Sequence, residues 1–177
     1  MARRVYDFNA PLPPALYWDA SFVVNFAHEA GLYHREAADF LLRLEQEKVM
    51  SFISTLTLDE AFFVLLRSSI EQDYAPLSFW KMYQQNPAVI APYLSKLRAL
   101  AKGLQIHPNV RILPVLTSFA LPALEFMERY HLLPRDAYHL AIMNHYGIPH
   151  IVTMDADFLV VPDLVIYTCV PSILAQG

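Results

Sequence analysis

Five short apolar runs, separated by stretches patterned for helices, limit this chain to one kind of fold. The runs are Ala15-Leu-Tyr-Trp18 and residues 49–53, 110–115, 150–153 and 164–168. None exceeds about six residues, an ordinary strand length. Between them lie helical patterns. One follows the first run to about Ala30, where Gly31 stops it. Residues 34–48 place Ala37, Ala38, Leu41, Leu42 and Leu44 on one side, and Arg35, Glu36, Arg43, Glu45 and Glu47 mostly on the other. Cap-type residues 54–57 open a long apolar helix to about Ser69, and further helices are expected over 88–104, 117–131 and 135–146. Gly147 stands where a left-handed helix end favours glycine. Strands alternating with helices imply an α/β fold whose parallel sheet, of four or five strands, is covered on both faces.

Residues 1–14, with Pro11, Pro13 and Pro14, read as an extended leader, and 15–177 as a single domain. The stretch 71–92 carries Pro76, Pro87 and Pro92 among Tyr74, Phe79, Trp80 and Tyr83, and reads as a loop or short helix. The longest purely apolar stretch, Ala61-Phe-Phe-Val-Leu-Leu66, is far shorter than the roughly 20 residues of a membrane span. One cysteine, Cys169, offers no internal disulfide, and the start has no signal-peptide pattern, so a cytoplasmic location is expected.

Four carboxylates sit where strands turn into helices. Asp19 ends the first run and Asp155 ends Ile151-Val-Thr-Met154; Asp136 opens a helix after Pro134, and Glu60 lies early in another. In an open parallel sheet the strand ends share one crevice, where ligands bind. Negative charges gathered there repel one another unless a cation sits among them. Each acid also has a structural duty to weigh. Asp19 suits an N-cap, Thr57-Leu-Asp-Glu60 matches a capping box, and Asp136 would be welcome in any first helical turn. Their joint placement favours a hard divalent ion, Mg²⁺ or Mn²⁺, both of which take oxygen ligands. No cysteine–histidine cluster suggests zinc.

Net charge is −4, and without the four candidate acids the rest would be neutral. Such a chain lacks the basic footprint of a protein that binds nucleic acid by charge alone.

The segments Asp19-Ala-Ser21, Thr55-Leu-Thr-Leu-Asp-Glu60, Leu133-Pro-Arg-Asp136-Ala-Tyr-His-Leu-Ala141 and Ile151-Val-Thr-Met-Asp155-Ala-Asp157-Phe158 resemble the motifs of PIN-domain proteins. Size and element order are similar to the VapC toxins of toxin–antitoxin pairs, over residues 15–168. The last two motifs, in tandem, are the specific part. The resemblance implies a three-layer α/β/α sandwich and a metal-dependent ribonuclease site of Asp19, Glu60, Asp136 and Asp155. It implies supporting hydroxyls at Ser21 and Thr153, and Asp157 as an outer or alternative ligand. It also implies an RNA substrate, a small antitoxin partner and a homodimer, for which Phe62-Phe63-Leu65-Leu66 would be core or the dimer face.

Arg135 and Arg67 are candidate phosphate contacts, with solvated surface arginines as the plainer reading. His139, one turn beyond Asp136, is expected to be a core or supporting histidine. Asp59, beside Glu60, leaves that acid's assignment open by one residue. A dehalogenase-type phosphatase would need a second Asp where Ser21 stands. A receiver domain would need a lysine later than Lys102, the last in the chain. The remaining alternative is a PIN-like binding or assembly module with idle acids.

Overall fold

The computed structural model describes residues 4–176. Among these residues, six strands form one all-parallel sheet: β1 (Val5–Tyr6), β2 (Ala15–Trp18), β3 (Met50–Ser54), β4 (Val110–Leu113), β5 (His150–Val152) and β6 (Val165–Tyr167), in the order β1-β6-β5-β2-β3-β4. The helices are α1 (Ala20–Ala27), α2 (His34–Gln46), α3 (Thr55–Asp73), α4 (Phe79–Gln85), α5 (Leu94–Ile106), α6 (Ala120–Tyr130), α7 (Pro134–His145) and α8 (Pro171–Leu174).

Side chains alternate across the sheet, because successive strand residues point to opposite faces. Tyr17, Ile151 and Ile166 join one core with α6, α7 and α8; Leu16, Trp18, Val152 and Tyr167 join the other with α1, α2 and α3. Two helix layers therefore enclose the sheet, which is the expected sandwich. The chain runs from β2 to β3 on one side and later returns to place β5 on the other. The carboxyl ends of β2 and β5 thus flank the point where the winding changes direction, the usual ligand crevice of such sheets.

Four expectations need correction. The segment before Ala15 is not merely a leader: β1 pairs with β6, whose Ile166 and Thr168 amides donate to Arg4 and Tyr6 carbonyls at 2.8 and 3.0 Å. The Arg4 guanidinium adds a bond to Val161 O at 2.8 Å, fixing this strand at the sheet edge and making six strands where four or five were expected. The capping box of α3 belongs to Ser54 and Thr57, not to Thr57 and Glu60. Ser54 Oγ accepts from Thr57 N at 3.0 Å, and Thr57 Oγ1 accepts from Ser54 N at 3.2 Å. The helix expected from 88 is a 3₁₀ stretch over Pro87–Tyr93, and α5 begins only at Leu94 and passes through Gly103. Lastly, α1 ends at Ala27, where the His28 backbone turns extended.

Between α3 and α5, α4 docks through Phe79, which packs edge-on against Phe63 with ring centroids 5.7 Å apart. Glu71 accepts from Phe79 N at 3.1 Å, tying the helix start to α3. Gly147 has φ +64°, the left-handed conformation its position called for. No helix among the described residues is long and apolar enough to cross a membrane.

Candidate active site at the carboxyl ends of the strands

Asp19 follows β2 directly and is almost wholly buried, 5% exposed. It caps α1 by accepting from Ser21 N at 3.3 Å. The cap reading is therefore correct, yet it occupies little of the carboxylate. Asp19 Oδ2 also accepts from Ser21 Oγ at 2.5 Å and from Thr153 Oγ1 at 2.9 Å. Thr153 is the residue after β5, and the pairing of Trp18 with Val152 puts it beside Asp19. Two hydroxyls, one in the first turn of α1 and one just past β5, thus hold one carboxylate.

The same hydroxyls shape the next turn. Ser21 Oγ accepts from Met154 N and Thr153 Oγ1 from Asp155 N, each at 2.9 Å. Asp155 Oδ1 then accepts from Asp157 N at 3.0 Å, closing an Asx turn that directs the chain away from β5. Asp136 comes from the other side, in the first turn of α7, with Pro134 at the helix start.

Electrostatics bring these aspartates together. Burial, followed by the negative charges of Asp155, Asp19 and Asp157, pushes the Asp136 carboxyl up to about 6, with His139 pulling the other way. Asp155 is also raised, chiefly by burial and further by Asp157 and Asp19, against the bond from the Asp157 amide. Carboxyls shifted by burial together with specific charged neighbours are candidates for a functional site.

Glu60 reaches the crevice from α3. Its neighbour Asp59 points outward to an exposed ion pair with Arg135 at 3.7 Å, so of the two adjacent acids it is Glu60 that faces inward. Glu60 Oε1 lies 3.1 Å from His139 Nε2. His139 is fully buried and stands 4.0 Å from Asp19 Oδ1, so it sits between the two acids. Its other nitrogen, Nδ1, is 2.7 Å from the Tyr17 hydroxyl. Tyr17 donates to Ser54 Oγ at 2.8 Å and has Thr57 Oγ1 at 3.2 Å.

Sequence reasoning missed the Tyr17–Ser54–Thr57 network. Its one signal was a phenol in an otherwise apolar strand, since a buried tyrosine hydroxyl requires a polar partner. The two candidate phosphate contacts are engaged elsewhere. Arg67 pairs with the half-buried Glu71 at 3.2 Å, and Arg135 with Asp59 on exposed surface.

Among the described residues, no group of three or more His, Cys, Asp or Glu side chains is already drawn close enough to grip an ion. The donor chemistry nevertheless fits a hard divalent cation. The acids offer oxygen only, and the raised Asp136 and Asp155 carboxyls are the ones a positive charge would relieve. Thiol chemistry has no place here: burial pushes the Cys169 thiol up to about 11, leaving it unreactive.

Fold and site together define an α/β sandwich with an acidic crevice at the ends of its central strands. The model of the PIN domain matches residues 16–164, and the chain belongs to that family. Among solved structures it is similar to VapC20 of Mycobacterium tuberculosis, described as a Sarcin-Ricin loop cleaving toxin. That likeness has 20% identity and a TM-score of 0.59, covering 83% of this chain and 95% of the toxin. A protein of Pyrobaculum aerophilum is similar over 92% of this chain and 88% of its own, with 16% identity and a TM-score of 0.52. At these identities the likeness speaks to fold. No curated protein matches the chain by sequence.

Proposed function

We propose that this protein is a metal-dependent endoribonuclease, with Mg²⁺ or Mn²⁺ held by Asp19, Asp136 and Asp155 and with Glu60 binding a second ion or orienting water. The observation that carries this reading is geometric: Thr153 Oγ1 donates to Asp19 and accepts from the Asp155 amide, and His139, one turn along α7 from Asp136, stands between Asp19 and Glu60. The raised Asp136 and Asp155 carboxyls, lifted chiefly by burial and in part by Asp19, agree with it. Family membership and the tandem Asp136 and Asp155 motifs support phosphodiester chemistry, and the description of VapC20 as a Sarcin-Ricin loop cleaving toxin supports the substrate class.

A bound divalent ion would supply an activated water and charge neutralisation at the scissile phosphate. The protein's own groups do the rest. Ser21 and Thr153 hold Asp19 in one orientation, and the Asx turn fixes the backbone that carries Asp155 and Asp157. Asp157 would serve as an outer or alternative ligand. Arg135 and Arg67 would contact phosphate only by leaving Asp59 and Glu71, so their contribution to binding is small.

The toxin role follows as part of the same reading. A cytoplasmic homodimer would be restrained by a small antitoxin protein whose segment fills the acidic crevice. The near-neutral remainder of the surface suits a nuclease that grips RNA locally and binds it weakly elsewhere. The deciding experiment is Mn²⁺-dependent cleavage of single-stranded RNA by the partner-free protein, with Asp136→Asn as control. Cleavage in wild type alone supports the nuclease. No cleavage by a folded wild type that fails to bind Mn²⁺ would favour the assembly module.

A further inference from the structure

The crevice carboxylates differ in what holds them. Asp19 has two hydroxyls and a backbone amide, and Asp155 has its own turn. Glu60 has neither. It lies beyond the capping box of α3, and the hydrogen bond it makes is to His139 Nε2. A glutamate is long and rich in rotamers, and fixing one costs conformational entropy. A ligand or water-orienting group left to sample those rotamers would be in place only part of the time.

We propose that His139 is the positioning residue for Glu60, and that Tyr17 and Ser54 set the orientation of His139. A carboxylate oxygen only accepts and the phenol gives its one proton to Ser54 Oγ, so both ring nitrogens donate, Nε2 to Glu60 and Nδ1 to the Tyr17 oxygen. The imidazole ring cannot turn over, because a flip would put a carbon where Nδ1 now meets the Tyr17 oxygen at 2.7 Å. The phenol is held in turn by Ser54 Oγ. That serine is the N-cap of α3, the helix on which Glu60 rides. Tyr17, Ser54, Thr57 and His139 are all fully buried, and each has a hydrogen-bond partner. A closed buried network of this kind specifies one geometry.

The circuit also registers three elements against one another. Tyr17 stands two residues before Asp19 on β2, His139 three residues after Asp136 on α7, and Ser54 six before Glu60 at the start of α3. Residues i and i+3 share a helix face, so Asp136 and His139 enter the crevice from one surface of α7. The network therefore does more than fill the core: it couples the strand and two helices that bear three of the acids.

This inference rests on the nuclease reading, and its test separates the two. The experiment measures initial rates of single-stranded RNA cleavage over a Mn²⁺ titration. It uses the full-length wild type and His139→Phe, His139→Gln, Tyr17→Phe, Glu60→Gln and the His139→Phe, Glu60→Gln double variant. Outer partners of metal-site groups cost about 10- to 100-fold in metal affinity or activity when removed. A loss in that range, with a raised half-saturating Mn²⁺ concentration, is expected for His139→Phe. His139→Gln keeps an N–H donor near Glu60 and should recover part of the rate. Tyr17→Phe should fall between wild type and His139→Phe.

The double variant carries the decision. If His139 acts through Glu60, the double loses no more than Glu60→Gln alone; if the losses multiply, the positioning role is wrong. Wild-type cleavage with an unimpaired His139→Phe overturns the role as well. Should His139→Phe not fold, the same comparison is made with His139→Gln and Tyr17→Phe. A folded wild type without Mn²⁺-stimulated cleavage overturns the nuclease reading itself, and the positioning role with it.

Discussion

The Thr153 hydroxyl donates to Asp19 Oδ2 at 2.9 Å across the ends of two adjacent strands, while its oxygen accepts from the Asp155 amide at the same distance. One buried side chain thus holds an acid in place and starts the turn that carries another. Thr153→Val keeps the shape and removes the oxygen. The Asp155 amide and one Asp19 lone pair then lose a partner, which costs about 1–3 kcal/mol per buried group left unsatisfied. Urea denaturation should show a loss of that size, and RNA cleavage should fall by at least tenfold. Thr153→Ser retains the hydroxyl and should stay near wild type in both measurements.

Asp136 gives the site a pH and metal signature. Its carboxyl is raised from 3.8 to about 6 in the folded protein. An acid that binds its proton more tightly when folded stabilises the fold at low pH. That contribution is complete below pH 3.8 and is lost as pH rises through about 6. Near neutral pH the ionised carboxylate opposes folding. Because Asp136 is only half-buried, the effect is discounted to about 1 kcal/mol. Metal-free Asp136→Asn should therefore melt higher than wild type at pH 7 and about equally at pH 4. Millimolar Mn²⁺ should raise the melting temperature of wild type, and raise it less in the variant. An unmoved wild-type melting temperature would contradict the site.

Neighbouring acids on α3 should behave in opposite ways. About 100° of helix rotation separates Asp59 from Glu60, and the two face different surroundings. Asp59 reaches an exposed Arg135, while Glu60 meets the buried His139. An exposed pair contributes only about 0–1 kcal/mol. Asp59→Asn should leave both stability and cleavage within about twofold of wild type, and Glu60→Gln should lower cleavage by at least a hundredfold. Steady-state rates on one RNA substrate distinguish them.

The acids were visible in sequence because they stand at strand–helix junctions, where the local pattern announces both elements. The alternation of strand and helix also gave the sandwich, since a parallel sheet leaves few other arrangements. What stayed hidden depends on distant partners. Two residues cannot display a period, so β1 becomes visible through its pairing with β6 and the anchoring of Arg4. Thr57 and Glu60 matched a capping box locally. Tertiary contacts decided otherwise, because Ser54 is also where the Tyr17 hydroxyl points. Between Glu71 and Pro92 the prolines left a loop or a short helix open, and the packing of Phe79 on Phe63 and the Glu71 bond to its amide make it a short helix. The circuit around His139 joins residues up to 122 positions apart, beyond any local pattern.

Gly147 provides the control that separates loss of fold from loss of site. It closes α7 with φ +64°, and a Cβ built there would meet nothing within 4 Å. Gly147→Ala therefore introduces backbone strain and no clash, at a cost of about 1 kcal/mol, set by the left-handed penalty for a residue with a side chain. Its position at the far end of α7 leaves Asp136 and His139 untouched. Denaturation should show the full loss, while the rate per folded molecule and its Mn²⁺ dependence stay as in wild type. A drop in cleavage comparable to that of Thr153→Val would mean that stability alone governs activity, and the losses assigned to Asp19, Glu60 and Thr153 would have to be read as unfolding.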